Sequence, residues 1–181
     1  AIAEHFRQIL TLLELDIHSP LLQDSPECVA KMYTEELFYG VKEENFPPIS
    51  TEPISSPVQR KNMICCSHIP FTSLCAHHFL PFTGVAHFAY LPHDCLIGLS
   101  GVNKVIHYFA ARPQIQEQLT EDIISSLSSI LQTEHLALQI QATHACVTAR
   151  GSKDHGCKAT THALRGAFQE GHRHREFFQS I

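Results

Sequence analysis

The sequence predicts an α+β fold, in which an antiparallel sheet carries helices on one face. Two pairs of segments are rich in β-branched and aromatic residues or alternate apolar with polar residues, as strands do. Two segments with helical periodicity separate these pairs, and further helical segments lie at each end of the chain. Runs of strands and runs of helices in this order are typical of α+β proteins rather than of alternating βαβ units.

Residues 1–57 are predicted to form an N-terminal segment of two helices and a connector. Apolar residues recur at helical spacing over 2–15. A second helix begins at 24–26, where Asp-Ser-Pro offers a capping side chain and a proline for the first turn, and it ends at Gly40. The stretch 41–57 contains four prolines and predicts an extended connector within a single domain of 181 residues.

Residues 58–181 are predicted to contain the sheet and its helices. The strands are expected in two antiparallel pairs, at 62–75 with 84–91 and at 136–149 with 158–168. The helices are expected at 102–111, 114–133 and 174–181. In the longest of them an apolar stripe should face the sheet, formed by Ile115, Leu119, Ile123, Leu127 and Ile130.

The net charge, the apolar runs and the number of cysteines argue against several classes of function. The net charge of −5 and a pI near 6.3 argue against a nucleic-acid partner, because phosphate backbones require a broad basic surface. No apolar run approaches the roughly 20 residues that span a bilayer, and no charged and apolar leader opens the chain. The seven cysteines are an odd number, which favours a reducing compartment. We therefore expect a cytoplasmic protein that has no membrane partner.

The first candidate for chemistry is the stretch 73–81, which reads SLCAHHFLP. From a tight bend, Cys75 and His78 can face one metal ion and leave His77 free to face a ligand. A Cys-x-x-His pair alone is also compatible with a reduced core cysteine beside surface histidines, since structural zinc sites normally have four protein ligands.

A second stretch, THACVTARG at 143–151, adds the residues that favour a metal site. It reads as a strand in which His144 and Cys146 flank an alanine, and Cys146 would complete a three-ligand site with Cys75 and His78. Three protein ligands leave the fourth position of zinc open to water, which distinguishes catalytic from structural sites. Water activated by Zn²⁺ can attack an electron-poor carbon, while nearby histidines carry protons.

In these motifs the chain resembles GTP cyclohydrolase I. The resemblance rests on CAHH, GLSGVNKVIHYFAARPQIQEQLT, ATHACVTARG and the closing HRHREFFQSI, and it extends to DSPECVAKMYTEELFYG near the N-terminus. It implies a tunnelling fold (T-fold) and a zinc-dependent hydrolysis of GTP at purine C8 that releases formate and yields 7,8-dihydroneopterin triphosphate. It also implies a homodecamer of two pentamers with active sites between subunits, and Zn²⁺ held by Cys75, His78 and Cys146.

The resemblance further assigns roles to individual residues. The proton-transfer residues would be His144 and His77. The guanine contacts would be Glu117, whose carboxylate can accept two parallel N–H bonds, and Gln116. The ribose and triphosphate contacts would be Ser100, Lys104, Arg150 and Lys31.

The chain also departs from the family pattern around the phosphates. It has Ala76 where the family usually has Glu, Gly101 where it has Lys, and both Cys28 and Lys104 where it has Arg. Two cations are therefore missing, and each lost charged contact is worth roughly 1.5–3 kcal/mol. Triphosphate affinity could then fall by about 3–6 kcal/mol, which is on the order of a hundred- to ten-thousand-fold.

Three functions stay open from the sequence. The first is the hydrolysis of GTP, with the remaining cations sufficient for binding. The second is a zinc hydrolase that acts on a purine nucleotide with fewer phosphates or on a related base. The third is a non-catalytic binding or regulatory paralogue that keeps the fold and the metal.

Overall fold

The computed structural model of the chain describes residues 1–56, 60 and 62–181. Its centre is a five-stranded sheet in the order β5-β2-β3-β6-β7, and a second sheet pairs β1 with β4. The strands are β1 Thr51–Pro53, β2 Ile64–Cys75, β3 Pro81–Tyr90, β4 Cys95–Ile97, β5 Pro113–Gln114, β6 Leu136–His144 and β7 Ala159–Leu164.

The sheet confirms the predicted α+β class and both predicted antiparallel pairs. Strand β2 pairs antiparallel with β3, and β6 pairs antiparallel with β7. The sheet is not wholly antiparallel, however, because the two-residue strand β5 runs parallel to the end of β2. Gln114 was predicted to begin the helix at 114–133, but it belongs to β5, and the helix begins at Gln116.

The helices are α1 Ile2–Leu12, α2 Ser25–Lys31, α3 Leu99–Ala110, α4 Gln116–Leu131, α5 Ala145–Thr148 and α6 Gly171–Gln179. A π-helical stretch, Met32–Leu37, continues α2, and 3₁₀ turns occupy Tyr39–Val41, Glu43–Asn45 and Gly166–Phe168. Within the described ranges no helix is both long enough and apolar enough to cross a membrane.

Several predicted boundaries need correction. The strand expected at 136–149 ends at His144, where helix α5 begins, and the strand expected at 158–168 ends at Leu164. The connector expected at 41–57 contains a 3₁₀ turn and strand β1. Residue 57, at which the predicted N-terminal segment ends, lies outside the described residues, as does the start of the second segment at 58.

Two details of the helix ends also differ from expectation. Asp24 is the N-cap residue of α2, but its backbone is α-helical (φ −95°, ψ −7°) and its side chain makes no capping hydrogen bond. Ile115 does not face the sheet, because it precedes α4 as its N-cap residue and its side chain is exposed. The helix predicted to end at Gly40 ends at Leu37, and Gly40 lies in the following 3₁₀ turn, where a Cβ would lie 2.0 Å from the carbonyl oxygen of Tyr108 in α3.

The main core lies between one face of the sheet and helices α3 and α4. The sheet contributes Phe82, Phe88, Tyr90, Leu138 and Ile140, and the helices contribute apolar residues such as Val105 and Ile123. Neighbouring residues in a strand point to opposite faces. Accordingly Ala89 and Ala137 join a second cluster with Phe168 and Phe177. Helix α6 therefore packs on the opposite face, and the prediction that all helices share one face is wrong for α6.

The register of the strands brings several chain segments to one end of the sheet. Leu74 pairs with Pro81, so the CAHHFL turn lies at this end between β2 and β3. Phe82 pairs with His144, and Cys75 pairs with Gln114. Gly84 permits the close contact of β3 with β6, since a Cβ there would lie 2.0 Å from the carbonyl oxygen of Gln141. Most of the predicted site residues are thus grouped at one sheet end.

One buried histidine makes the stability of the sheet depend on pH. His87 in β3 is 5 % exposed, and its Nδ1 accepts a hydrogen bond of 3.3 Å from the backbone N–H of His68. This bond lies at the irregularity where the β2–β3 register shifts between Cys66 and Ile69. Burial lowers the pKa of His87 below its ordinary value, and the charge of the nearby His68 lowers it further.

We predict that His87 reduces the stability of the fold in acid. Because its pKa is lowered by folding, the unfolded chain binds more protons as the pH falls below about 6.5, and the folded state loses stability. The asparagine in His87→Asn keeps an acceptor but does not titrate. The unfolding free energy of this variant should therefore decline less between pH 7.5 and 5 than that of the wild type. One proton changes the slope by at most about 1.4 kcal/mol per pH unit.

The measurement is denaturant unfolding at several pH values. His5→Asn is the control, because His5 is exposed on α1. An acid dependence of His87→Asn that equals that of the wild type would contradict the prediction.

Candidate functional site

Two thiols and an imidazole meet at the end of the sheet. Cys75 is the last residue of β2, His78 lies in the following turn, and Cys146 lies in α5. One ligand atom of each residue lies within 4.8 Å of the others. Cys75 is buried, Cys146 is half-buried and His78 is exposed, so the group opens to solvent on the histidine side. The structure thus brings together the three residues that were predicted as metal ligands.

Backbone hydrogen bonds hold the turn that carries two of these residues. The N–H of Cys75 donates to the carbonyl of Leu80 at 2.9 Å, and the N–H of Phe79 donates to the carbonyl of Cys75 at 2.8 Å. Phe79 adopts a left-handed backbone with φ 54°. The N–H of Ala76 donates to the carbonyl of Gln114 in β5, which attaches the turn to the segment leading into α4.

Cys146 reaches the group from a helical turn and not from the predicted strand. Strand β6 ends at His144, which is also the N-cap residue of α5. The chain then turns, and the Cys146 thiol comes within hydrogen-bond range of Cys75. The predicted strand placed His144 and Cys146 on one face, whereas the structure places one in a strand and the other in a helical turn.

The three residues fit a zinc ion. Two sulfurs and one nitrogen form a donor set that zinc prefers, and tetrahedral bonds of about 2.0–2.3 Å place ligand atoms about 3.5–3.8 Å apart. The observed limit of 4.8 Å is within a small side-chain adjustment of that spacing. Burial and the hydrogen bond with Cys75 raise the pKa of Cys146, so the metal-free Cys146 thiol stays protonated. A cation at this point would stabilise the thiolates instead.

Arg150 contacts the same group. Its Nη1 donates to Nε2 of His78 at 2.8 Å, so that Nε2 is the acceptor nitrogen of this imidazole. A neutral imidazole has a single ring lone pair, which cannot serve the guanidinium and a metal at once. Metal binding through Nε2 would therefore release Arg150 from His78 and free its guanidinium for an anion.

His144 precedes Cys146 by two residues and is half-buried. Its ring stacks on Phe82, with centroids 4.6 Å apart and planes 5° apart. Its Nε2 is 2.8 Å from Oε1 of Gln116. Burial lowers the pKa of His144, and the negative charge of Glu117 partly opposes this effect. The imidazole is therefore neutral at pH 7 and able to accept a proton.

A cavity of about 230 Å³ adjoins this histidine, and its lining is Gln116, Glu117, His144, Val147, Cys157 and Ala159. Glu117 is exposed in the first turn of α4 and offers its carboxylate to the space beside His144. A larger hollow of about 440 Å³ lies elsewhere, between the N-terminal segment and α3, and shares none of these residues. The chemistry-bearing side chains favour the smaller cavity as the substrate site.

The predicted phosphate contacts do not line this cavity in the single chain. Ser100 lies in the first turn of α3, Lys104 lies one turn later, and both are exposed. Lys31 on α2 is exposed and lies 4.0 Å from the carboxylate of Glu35. His77 is exposed in the turn, with its ring centroid 6.3 Å from that of His78. Of the predicted basic residues, Arg150 alone contacts a residue of the metal group among the described contacts.

Close packing around Gly101 leaves little room for the lysine that the family has at this position. Gly101 is buried in the first turn of α3, and a Cβ there would lie 2.9 Å from Cγ1 of Ile97. Ile49 would also be close, at 3.3 Å. A lysine at this position would therefore require the Ile97 side chain to shift, in addition to supplying a charge.

The sequence analysis missed several residues of the site. Phe82 stacks on His144, Cys157 lines the cavity, and Thr120 and Thr161 belong to a polar network around Gln116. The stacking follows from the pairing of Phe82 in β3 with His144 in β6, so the register of these two strands would have been needed to predict it. Nothing in the sequence indicates that Cys157 lies near Gln116 and Glu117 at the start of α4.

Comparison with known proteins agrees with these observations. The family model for GTP cyclohydrolase I matches residues 2–181. The GTP cyclohydrolase 1 of Yersinia enterocolitica is 41 % identical over 177 residues, which cover 98 % of this chain and 80 % of that protein. The corresponding figures for the protein of the same name from Sodalis glossinidius are 41 %, 98 % and 79 %.

A protein of the same name from an Enterobacter species is 40 % identical over an equal length. The match with these relatives spans nearly the whole chain, including the CAHH turn, the start of α4 and the THACV segment. The chain therefore belongs to the GTP cyclohydrolase I family of enzymes.

Proposed function

We propose that this chain hydrolyses the purine ring of GTP at C8 with Zn²⁺, releases formate and forms 7,8-dihydroneopterin triphosphate. The observation that carries this proposal is the placement of the Cys75, His78 and Cys146 ligand atoms within 4.8 Å of one another. His144, two residues before Cys146, lines a cavity together with Glu117. A metal-ligand group, a half-buried base and a carboxylate are the components that a hydrolytic ring opening requires.

In this proposal the residues of the metal group hold Zn²⁺ as two thiolates and one imidazole. When bound, zinc acts as a Lewis acid and brings the pKa of water into the neutral range. Among the described residues the group contains three ligands, so a fourth position on the ion would be left to solvent.

His144 transfers protons to and from the opening ring. Its imidazole is neutral because burial lowers its pKa, and its ring is held on one side by Phe82 and at Nε2 by Gln116. A base held in one orientation can take up a proton when water adds and return it when the C–N bond breaks. His77, exposed in the CAHHFL turn, is the second proton-transfer residue.

Glu117 recognises the guanine edge. Its carboxylate lies at the cavity beside His144 and can accept two N–H bonds from the base. The resemblance assigns Gln116 to a further base contact, but its side chain already has protein partners.

The triphosphate would be bound by Arg150, released from His78, together with Ser100, Lys104 and Lys31. These last three lie outside the cavity of the single chain, which favours an active site completed by a neighbouring subunit.

We propose a homodecamer of two pentamers built on a T-fold, with residues 1–57 as the N-terminal segment and 58–181 as the core. All seven cysteines are free, which supports a cytoplasmic location.

A hydrolase for a purine nucleotide with fewer phosphates is the second candidate. Gly101 supplies no charge where the family usually has a lysine, and Cys28 is exposed on α2 where the family usually has an arginine. A site with fewer cations would lose selectivity for the triphosphate, because the charged contacts with the terminal phosphates provide much of it.

Turnover of three substrates by the zinc-loaded protein would distinguish these candidates. If the proposal is correct, GTP should exceed GMP and guanosine in kcat/KM by at least about tenfold, since each retained charged contact is worth about 1.5–3 kcal/mol. The measurement is formate release together with pterin fluorescence. A preference for GMP or guanosine would support the second candidate, and no turnover of any of the three would support a non-catalytic paralogue.

Replacement of His144 tests the proton-transfer step. His144→Gln should lower kcat for GTP by about 10²–10⁴-fold, which is the usual contribution of a general acid or base, while the zinc content stays at the wild-type level. The control is His93→Gln, since His93 is exposed and contacts Asp94. Wild-type turnover by His144→Gln would refute the assigned role.

A further inference from the structure

The side chain of Gln116 is buried and fully engaged within the protein. It is 3 % exposed, and its Nε2 lies 3.2 Å from the carbonyl oxygens of Ile140 and Ala159. It also lies 3.1 Å from the hydroxyl of Thr161. Carbonyl oxygens only accept hydrogen bonds, so the NH₂ group of the amide must be on this side and Oε1 on the other.

The neighbouring threonines fix the same orientation independently. The hydroxyl of Thr120, which is 2 % exposed, donates to the backbone carbonyl of Gln116 at 2.8 Å. A hydroxyl has one hydrogen, so in the 2.7 Å bond between Thr120 and Thr161 the donor must be Thr161. Thr161 is then free to accept from Nε2 of Gln116. The hydroxyl hydrogens of Thr120 and Thr161 thus have determined directions.

The orientation of the amide determines the tautomer of His144. The atom of Gln116 that meets Nε2 of His144 at 2.8 Å is Oε1, which can only accept. Nε2 must therefore carry a hydrogen. A neutral imidazole has one N–H, so the lone pair is on Nδ1. Among the described residues no hydrogen-bond partner is recorded for Nδ1, while Phe82 covers one face of the ring.

We propose that Gln116 is a positioning residue that keeps a hydrogen on Nε2 of His144 and thereby makes Nδ1 the atom that exchanges protons with the substrate. The statement about the tautomer is independent of the reaction, and the statement about proton exchange rests on the proposed function. Direct recognition of the base by the Gln116 side chain would require it to leave four protein contacts, of which two are to backbone carbonyls.

The test combines magic-angle-spinning NMR with kinetics on the zinc-loaded full chain labelled with ¹⁵N-histidine. The His144 signals are identified as those absent from His144→Gln. Gln116→Met removes the acceptor at nearly constant volume, Gln116→Glu retains an acceptor, and Gln118→Met is the control, because Gln118 contacts Asp122 on the exposed side of α4. Thr161→Val is a second route to loosening the amide, in case Gln116→Met does not fold.

We expect the wild type and Gln118→Met to show His144 as the Nε2–H tautomer. Gln116→Met should show a mixture of tautomers and a kcat for GTP lowered about 10- to 100-fold with a smaller change in KM, and Gln116→Glu should recover the tautomer and part of kcat. Thr161→Val should shift the tautomers in the same direction by a smaller amount.

An Nδ1–H tautomer in the wild type would overturn the proposal. So would an unchanged tautomer and kcat in Gln116→Met, or a loss confined to KM, which would indicate base binding instead. If the wild type has the expected tautomer but does not turn over GTP, the proposed function fails while the assignment of the Gln116–His144 bond stands.

Discussion

The pairing of β3 with both β2 and β6 is the constraint on which the site depends. The β2–β3 hairpin places the CAHHFL turn at one end of the sheet, and the Phe82–His144 pair places the end of β6 beside it. Helix α5 then needs a single turn to bring Cys146 to Cys75. Because a Cβ at Gly84 would lie 2.0 Å from the carbonyl oxygen of Gln141, the tight contact between β3 and β6 depends on a residue without a side chain.

Burial gives the groups of the site their protonation states. It raises the pKa of Cys146 and lowers the pKa of His144, so both groups are neutral in the metal-free chain. A divalent cation would change the cysteines by stabilising their thiolates, whereas the bond between His144 and Gln116 does not depend on the metal. The thiols of the metal group thus change when a metal ion binds, whereas the orientation of His144 is set by Gln116 before the ion binds.

The sequence predicted the elements of the fold well where periodicity was long and regular. Both antiparallel pairs and the helices of the core are present, because the apolar face of each was visible in the spacing of residues such as Leu119 and Ile123. Strand ends were less predictable, since Cys146 follows β6 without a proline or glycine to mark the turn. The packing of α6 on the opposite face could not be predicted, because alanines such as Ala89 and Ala137 give little indication of what covers them.

For the site, residue types and spacing predicted that Cys75, His78 and Cys146 lie together, since two thiols and one imidazole form a donor set that zinc prefers. The partners of Gln116 were not predictable, because a glutamine beside a glutamate on a helix looks solvent-exposed. Its burial follows only from the position of α4 against β6 and β7, where Ile140 and Ala159 offer their carbonyl oxygens. The basic residues assigned to the triphosphate lie apart in the single chain, so their convergence would require a neighbouring subunit.

The central claim is that Cys75, His78 and Cys146 together hold one zinc ion and leave one coordination position open. X-ray absorption spectroscopy at the zinc edge of the loaded protein tests it most directly. The account predicts two sulfur and one nitrogen ligand from the protein at about 2.3 and 2.0–2.1 Å, with one further light atom from solvent. A spectrum with a fourth protein ligand, or one that is unchanged in Cys146→Ser, would contradict it.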